Sequence, residues 1–512
     1  MSYYLGVDVG TTTTRAIVYD QNARKIQEAS QTYPLYRQAD GMAEQEPQQL
    51  VDAVIDVINQ AVDAAGVSQS DLTAVGFSSS NQSVILLDKR YQPLSRVITW
   101  ADTRAARVAK RVQQSLTAQP LYSRTGTPVH PMSPLIKLMW LQEEHPALMT
   151  KAAHIGDVKS FLFNQLFGCF KVDISIASST GMFNITKSEW DSEALKMAKI
   201  SADQLPQVVN ATAQQVGLLP AMASRLHLPA NIPFIFGAYD GAMTNIGVGA
   251  TAEDTVAITI GSSAGVRVIT DHPVIDPEQR LFCYCLDEGK WVVGGPLNNG
   301  GAVFDWAVRH MVDTNAVRNS GGDQFGVANS VIAETPVGAH GLIFHPFLGG
   351  ERAPLWDANA RGSFSGLTPL HTRADMLRSV MEGITMNIAT VFQVLCELVG
   401  RPKSVTATGG FSRSLVWRQM LADVLNTKVK VPQHFAAATL GVAAMAMKST
   451  GLIDKAATVA NHDMTVEEYQ PQVAAVDIYQ QVLPIFTQLE GFLAPSYQSL
   501  AALQERLSHY QE

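Results

Sequence analysis

The sequence predicts an α/β protein built from two related halves that face each other across a cleft. Three observations carry this expectation. The chain opens on a β-branched hairpin, YYLGVDVG and RAIVYD around a run of threonines, and a similar hairpin, AITIGSSAGVRVIT, returns at 257–270. The two copies align Gly10 with Gly261, half a chain apart, as a duplicated domain would. At 512 residues the chain also exceeds what one compact core holds.

The elements follow in order. Alternating β-branched residues on both sides of the Gly/Thr run predict two strands with the threonines at the tip. In 49–67, Leu50, Val54, Ile55, Ile58 and Val62 share one helical face, and Gly66 ends the helix. LTAVGFSSSNQSVILLD (72–88) reads as strand, loop, strand, so the first half mixes hairpins with a helix. In the second half, KSVTATGGFSRSLVWRQMLADVL (403–425) gives strand, Gly-Gly and amphipathic helix, a partial echo of 72–83. The Gly-rich NIGVGATAEDT (245–255) marks the expected boundary, dividing the chain into 1–250 and 251–512. Beyond about residue 455 only closing helices are expected.

Composition narrows the function classes. A net charge of −8 and a pI near 5.9 offer no basic face for nucleic acid. Cys169, Cys283, Cys285 and Cys396 form neither a C-x-x-C pair nor a zinc spacing, which suits a reduced compartment. The opening MSYYLGVDVG has no charged n-region, and no apolar run approaches a membrane span, so a cytoplasmic protein is expected.

Asp8 stands two residues before Gly10, whereas Thr259 stands two before Gly261. A carboxylate in only one copy, beside hydroxyls and backbone N–H groups, suits a hydrated Mg²⁺ next to a phosphate. Gly-Thr-Thr alone reads equally well as a tight turn. The duplication favours phosphate binding, with two hydroxyl-rich turns holding one polyphosphate. Neither G-x-x-x-x-G-K-[ST] nor G-x-G-x-x-G occurs, which excludes a P-loop and a Rossmann site.

Two longer stretches give the pattern a family likeness. MSPLIKLMWLQEE (132–144) carries Met132, Pro134, Lys137 and Trp140, and GSFSGLTPLHTRADMLRSVME (362–382) carries Gly362, Phe364, Gly366, Asp375, Ser379 and Glu382. With the paired hairpins, these resemble the signatures of the FGGY carbohydrate kinases over roughly residues 3 to 450. The resemblance implies two duplicated actin-like (ribonuclease H-like) ATPase domains with a deep interdomain cleft, and ATP and Mg²⁺ as cofactors.

It also implies site residues. Asp8 resembles the metal-side carboxylate, with Thr11, Thr12 and Arg15 around the nucleotide phosphates. Ser262 and Ser263 resemble the second phosphate loop, Gly409, Gly410 and Ser414 the adenosine-side loop, and Gly301 a further nucleotide contact. Asn81 and Gln82 fall where these kinases hold sugar hydroxyls, and Asp240 falls at the catalytic base. His130 and Met132 fall on the expected wall of the sugar pocket, and Trp100, Asp102 and Arg104 in a recurrent stretch near it. Taken alone, Asp240-Gly241 reads as a turn and a lone His130 as structural. A carboxylate that orients the acceptor hydroxyl and takes its proton is what phosphoryl transfer requires. Asp240 is expected to project from a strand end into the cleft.

For the acceptor, TGTPVHPMSPLIKLMWL, FLGGERAPLWDANARGSFSGL and DISIASSTGMFNI resemble the gluconate-phosphorylating branch, although the GER-P-WD core is shared with xylulose kinases. Asn81-Gln82 departs from the Met-His pair of xylulose kinases and the Arg-Glu pair of glycerol kinases. The expected product is 6-phosphogluconate; a xylulokinase or another ketose or polyol kinase is the alternative, and a non-catalytic actin-like sugar sensor a more distant one. Donors for a substrate carboxylate would be Asn81, Gln82, His130 and the loop before Lys159, none of them a bidentate Arg. Gln433-His434 stand where the family often has Glu, ahead of an Ala/Gly-rich helix expected at the hinge between halves. Expected partners are a small sugar or sugar acid and ATP, without nucleic acid or membrane. A homodimer is compatible with the sequence, which does not fix the oligomeric state.

Overall fold

The threonine hairpin is the centre of the first sheet. Tyr3–Val9 pairs antiparallel with Thr13–Asp20, which pairs antiparallel with Lys25–Thr32. On its other edge Tyr3–Val9 runs parallel to Leu72–Ser79, followed by Phe234–Ile235 and Gln214–Gln215. The computed structural model describes residues 2–313, 318, 321–433, 436–456 and 466–508; the predicted departure at His434 lies outside them.

In the second half the plan recurs strand for strand. Thr255–Ile260 pairs antiparallel with Ala264–Thr270 and parallel with Ser404–Thr408, and Lys290–Leu297 follows the hairpin as Lys25–Thr32 does in the first copy. The turns differ by one residue. Val9 pairs with Thr14 across four turn residues, whereas Ile260 pairs with Ala264 across three. By register Asp8 lies between Arg15 and Ser78, and Thr259 between Gly265 and Thr408; in the second copy an arginine reaches the site from two residues along, Arg267 Nη1 donating to Thr259 Oγ1 at 3.4 Å.

The chain divides into two compact units, each drawing on several segments. The first comprises Met1–Ala252, Ile269–Val293 and Ala436–Met464, the second Glu253–Val268, Gly294–Phe435 and Thr465–Glu512. The first unit buries the predicted helix, Pro47–Ala65, against the sheet through Leu50, Val54, Ile55, Ile58 and Val62, and Gly66 ends it at φ 62°. Its core continues through Phe77, Phe163, Phe234 and Phe236.

The Ala/Gly-rich helix, Ala437–Ser449, belongs to the first unit. Glycines at the contact set its distance. A Cβ on Gly6 would lie 2.3 Å from the Thr439 carbonyl oxygen, and one on Gly76 would lie 2.5 Å from that of Val442. Only small residues allow backbone to approach backbone this closely.

The second signature does structural work in the second unit. It begins the helix Arg373–Val399, which is long and apolar enough to cross a membrane by composition, but whose apolar stretch is buried here. Glu382 accepts from Arg378 Nε at 2.7 Å, from the Gly338 N–H at 2.9 Å and from the Tyr479 hydroxyl at 2.9 Å. Arg378 also donates to the carbonyls of Ile332 and Thr335 at 2.8 Å each. Asp375 closes the capping box with Thr372 at the start of that helix. Beyond residue 455, where only closing helices are expected, the described residues form a strand, Val466–Tyr469, paired with Val429–Pro432, before one long helix, Val473–Ser508.

Candidate active site

In the first unit the threonine turn is held from behind, leaving its tip outermost. Gly10 N–H donates to the Thr13 carbonyl at 3.0 Å, and the Tyr33 hydroxyl to the Gly10 carbonyl at 2.6 Å. Trp100 Nε1 donates to the Thr11 hydroxyl at 2.8 Å, and Gln45 Nε2 to the Thr11 carbonyl at 2.8 Å. The Thr11 hydroxyl therefore keeps its own proton for donation outward. Thr12 is the exposed residue of the turn, and Arg15 pairs with Glu28 at 3.1 Å with its side chain partly in solvent.

Asp8 lies below this turn, with Ser78 Oγ donating to its Oδ1 at 2.6 Å. Burial pushes its carboxyl pKa above the usual range, against the pull of Ser78, Arg15 and Lys159. A neighbouring cation would favour the ionised form. Among the described residues no group of three or more His, Cys, Asp or Glu gathers in metal-binding fashion. A single carboxylate suits Mg²⁺, which is usually held by one or two carboxylates together with water and substrate phosphates.

Asp240 is the first residue of the helix Asp240–Gly247, not the end of a strand as expected. The strand Phe234–Ile235 stops earlier, and a short connection carries the chain over the sheet edge, bridged at Tyr239 to Ser79. Three contacts fix that connection. Lys159 Nζ donates to the carbonyls of Phe236 at 2.9 Å and Ala238 at 3.2 Å, and the Tyr239 N–H donates to Ser175 Oγ at 2.9 Å. Gly237 sits at φ 62°, where a Cβ would lie 1.9 Å from the Phe77 carbonyl oxygen. Lys159 is fully buried and paired at 2.6 Å with Asp173, itself fully buried. It is thus a brace beneath Asp240, and not a free donor for a substrate.

The predicted acceptor segments meet through another buried lysine. Lys137, wholly inaccessible, donates to the Gln82 carbonyl at 2.9 Å and to the Met132 carbonyl. Burial lowers its pKa to about 7. Gln82 takes the left-handed conformation at φ 61°, and its amide donates to the Tyr284 hydroxyl at 3.0 Å and to the Ser179 carbonyl at 3.4 Å. Its amide N–H groups therefore serve the scaffold, while Asn81 beside it is half-buried. His130 and Met132 are both buried. The Met132 N–H donates to His130 Nδ1 at 3.2 Å, so in the neutral ring Nε2 bears the proton and is a donor. Asp102 and Arg104 are joined bidentately, Arg104 reaches Glu44 at 2.6 Å, and its guanidinium lies 4.7 Å from the Trp140 ring centroid. This network ties the first signature to the loop at 100–104.

In the second unit Ser262, Ser263, Gly301 and Gly409 meet at the end of the strand Thr255–Ile260. Gly261 N–H donates to the Ser263 carbonyl at 2.9 Å, and Ser262 is exposed. The helix Gly301–Met311 starts against this turn, with Gly301 N–H donating to the Gly261 carbonyl at 2.7 Å and Ala302 N–H to that of Ser262 at 3.1 Å. Gly409, at φ 112°, and Gly410 follow the neighbouring strand, Ser404–Thr408. A Cβ on Gly409 would lie 2.3 Å from the Ile260 carbonyl oxygen. Ser414 is the N-cap of the helix Leu415–Leu425 and donates to Asn329 Oδ1 at 2.6 Å, so its hydroxyl has a folding role whatever else it meets.

Duplicated α/β frames with hydroxyl-bearing turns define a class of phosphoryl-transfer protein. Residues 3–247 match the N-terminal domain and residues 256–450 the C-terminal domain of the FGGY family of carbohydrate kinases, and the chain belongs to that family. It is 37% identical to a gluconokinase of Bacillus subtilis (strain 168) over 510 residues, covering 99% of each chain. Its fold is similar to that of a gluconate kinase from Lactobacillus acidophilus, with a TM-score of 0.92 and 33% identity over 98% of this chain and 99% of that one. A ligand-bound xylulose kinase from the same organism is equally similar, with a TM-score of 0.92 and 33% identity over 98% and 100%. The protein is a carbohydrate kinase with ATP as its phosphoryl donor.

Proposed function

We propose that the acceptor is D-gluconate and the product 6-phosphogluconate. The carrying observation is the 37% identity to a gluconokinase along 99% of both chains. We assign Asp240 as the general base that orients the acceptor hydroxyl and takes its proton, a role for which a braced helix start is suited. Asn81, Gln82, His130 and Met132 are assigned to the acceptor, with the His130 Nε2–H as a neutral donor. Thr11, Thr12, Arg15, Ser262, Ser263, Gly301, Gly409, Gly410 and Ser414 are assigned to the nucleotide, which places acceptor chemistry in 1–250 and most nucleotide contacts in 251–512. Asp8 would hold Mg²⁺, which when bound neutralises phosphate charge.

The similarity to a xylulose kinase structure favours a ketose as the second reading. An ADP-release assay across gluconate, xylulose, ribulose, glycerol and fuculose separates the two. Turnover with a neutral ketose and none with gluconate would overturn the first reading. Asp240→Asn should retain binding of both substrates and lose about 10²–10⁴ in kcat. Wild-type turnover in that variant would remove Asp240 from the mechanism.

A further inference from the structure

We propose that Glu351 is a positioning residue for nucleotide binding, holding the start of the helix Gly301–Met311 against the serine turn. The inference rests on the reading that Gly261–Ser263 contacts the nucleotide phosphates. Glu351 is completely buried, and four N–H donors surround its carboxylate. Oε1 accepts from the backbone N–H of Asn298 at 2.6 Å and of Arg352 at 2.8 Å. Oε2 accepts from the side-chain amides of Asn299 at 2.9 Å and Asn387 at 2.6 Å. Two donors on each oxygen match the capacity of an ionised carboxylate, which is acceptor-only.

What Glu351 holds gives it more than a packing role. Asn298 and Asn299 immediately precede Gly300 and Gly301. They are tied to the Glu351 loop a second time, because Asn298 Nδ2 donates to the Gly349 carbonyl at 3.0 Å and Asn299 Nδ2 to that of Gly350 at 2.7 Å. One residue further on, the chain meets the serine turn with no slack. A Cβ on Gly300 would lie 2.7 Å from Ser263 backbone atoms, and Gly301 and Ala302 donate to the Gly261 and Ser262 carbonyls. Asn387, from the core helix Arg373–Val399, anchors the far side of the carboxylate. A displacement at Glu351 therefore passes to the turn directly, because Asn299, which it holds, is followed at once by Gly300, which lies against Ser263.

Glu351→Gln keeps the volume but puts an NH₂ where two donors converge. Steady-state kinetics on the full-length enzyme should show KM for ATP raised about tenfold or more, with KM for the acceptor within twofold of wild type. A lowered Tm with unchanged KM for ATP would mean a purely structural carboxylate and overturn the proposal. If Glu351→Gln does not fold, Asn299→Ala decides by the same split, with an unchanged KM for ATP counting against. Ser262→Ala and Ser263→Ala serve as the control. If neither moves KM for ATP, the phosphate-turn reading fails; if they raise it and Glu351→Gln does not, only the positioning role fails.

Discussion

Asp173→Asn should destabilise the first unit by about 3–5 kcal/mol, the usual cost of removing one partner from a buried ion pair. Lys159 and Asp173 are both fully buried with 2.6 Å between Nζ and Oδ2. At an effective dielectric near 20 that separation corresponds to about 6 kcal/mol of attraction. The substitution removes it and leaves an ammonium with the Phe236 and Ala238 carbonyls. Those bonds shelter part of the charge, which brings the net cost into the lower range. The helix cap should not contribute. Asp173 Oδ1 accepts from Ser175 and Ile176 N–H at 3.1 and 3.0 Å, and asparagine caps equally well. Lys159→Met should also destabilise, and it should lower kcat at least tenfold, because it releases the connection that leads into Asp240. The double variant buries no charge and should cost less than the two single changes combined, by about 2 kcal/mol or more. Urea unfolding of the four proteins, with kcat measured on each, tests this. A cost below about 1 kcal/mol for Asp173→Asn, or strict additivity, would refute the reasoning.

Gly441→Ala should destabilise by about 1–3 kcal/mol in thermal unfolding, since its Cβ would lie 1.9 Å from the Met243 carbonyl oxygen in the helix that begins at Asp240. A neutral result would mean that the two helices separate freely. Glu490, on the closing helix, is pushed up to about 7 by burial and by Glu351. The folded state therefore holds its proton more tightly than the unfolded chain, and stability present below about pH 4.5 is lost as pH rises through 7, by at most about 3 kcal/mol. Glu490→Gln should flatten that loss between pH 5 and pH 8 in urea unfolding, and an unchanged slope would exclude Glu490 as its source.

The features legible along the chain were local and periodic. Both hairpins, the helix ended by Gly66, and the Gly-Gly turn before an amphipathic helix all stand where alternation, helical spacing and turn residues put them. These depend on neighbours a few residues apart, and the duplication made them legible twice over. The signatures were equally visible, but not their work: Glu382 knits the second unit together through Arg378 and Tyr479, and Lys137 ties Gln82 to Met132. The pairing of Lys159 with Asp173, the inward donation of the Gln82 amide, the four donors that Glu351 collects from three segments, and the helix that Asp240 opens all came from the fold. A buried charge or amide is defined by the partners that replace its water, and here those partners come from segments distant in sequence.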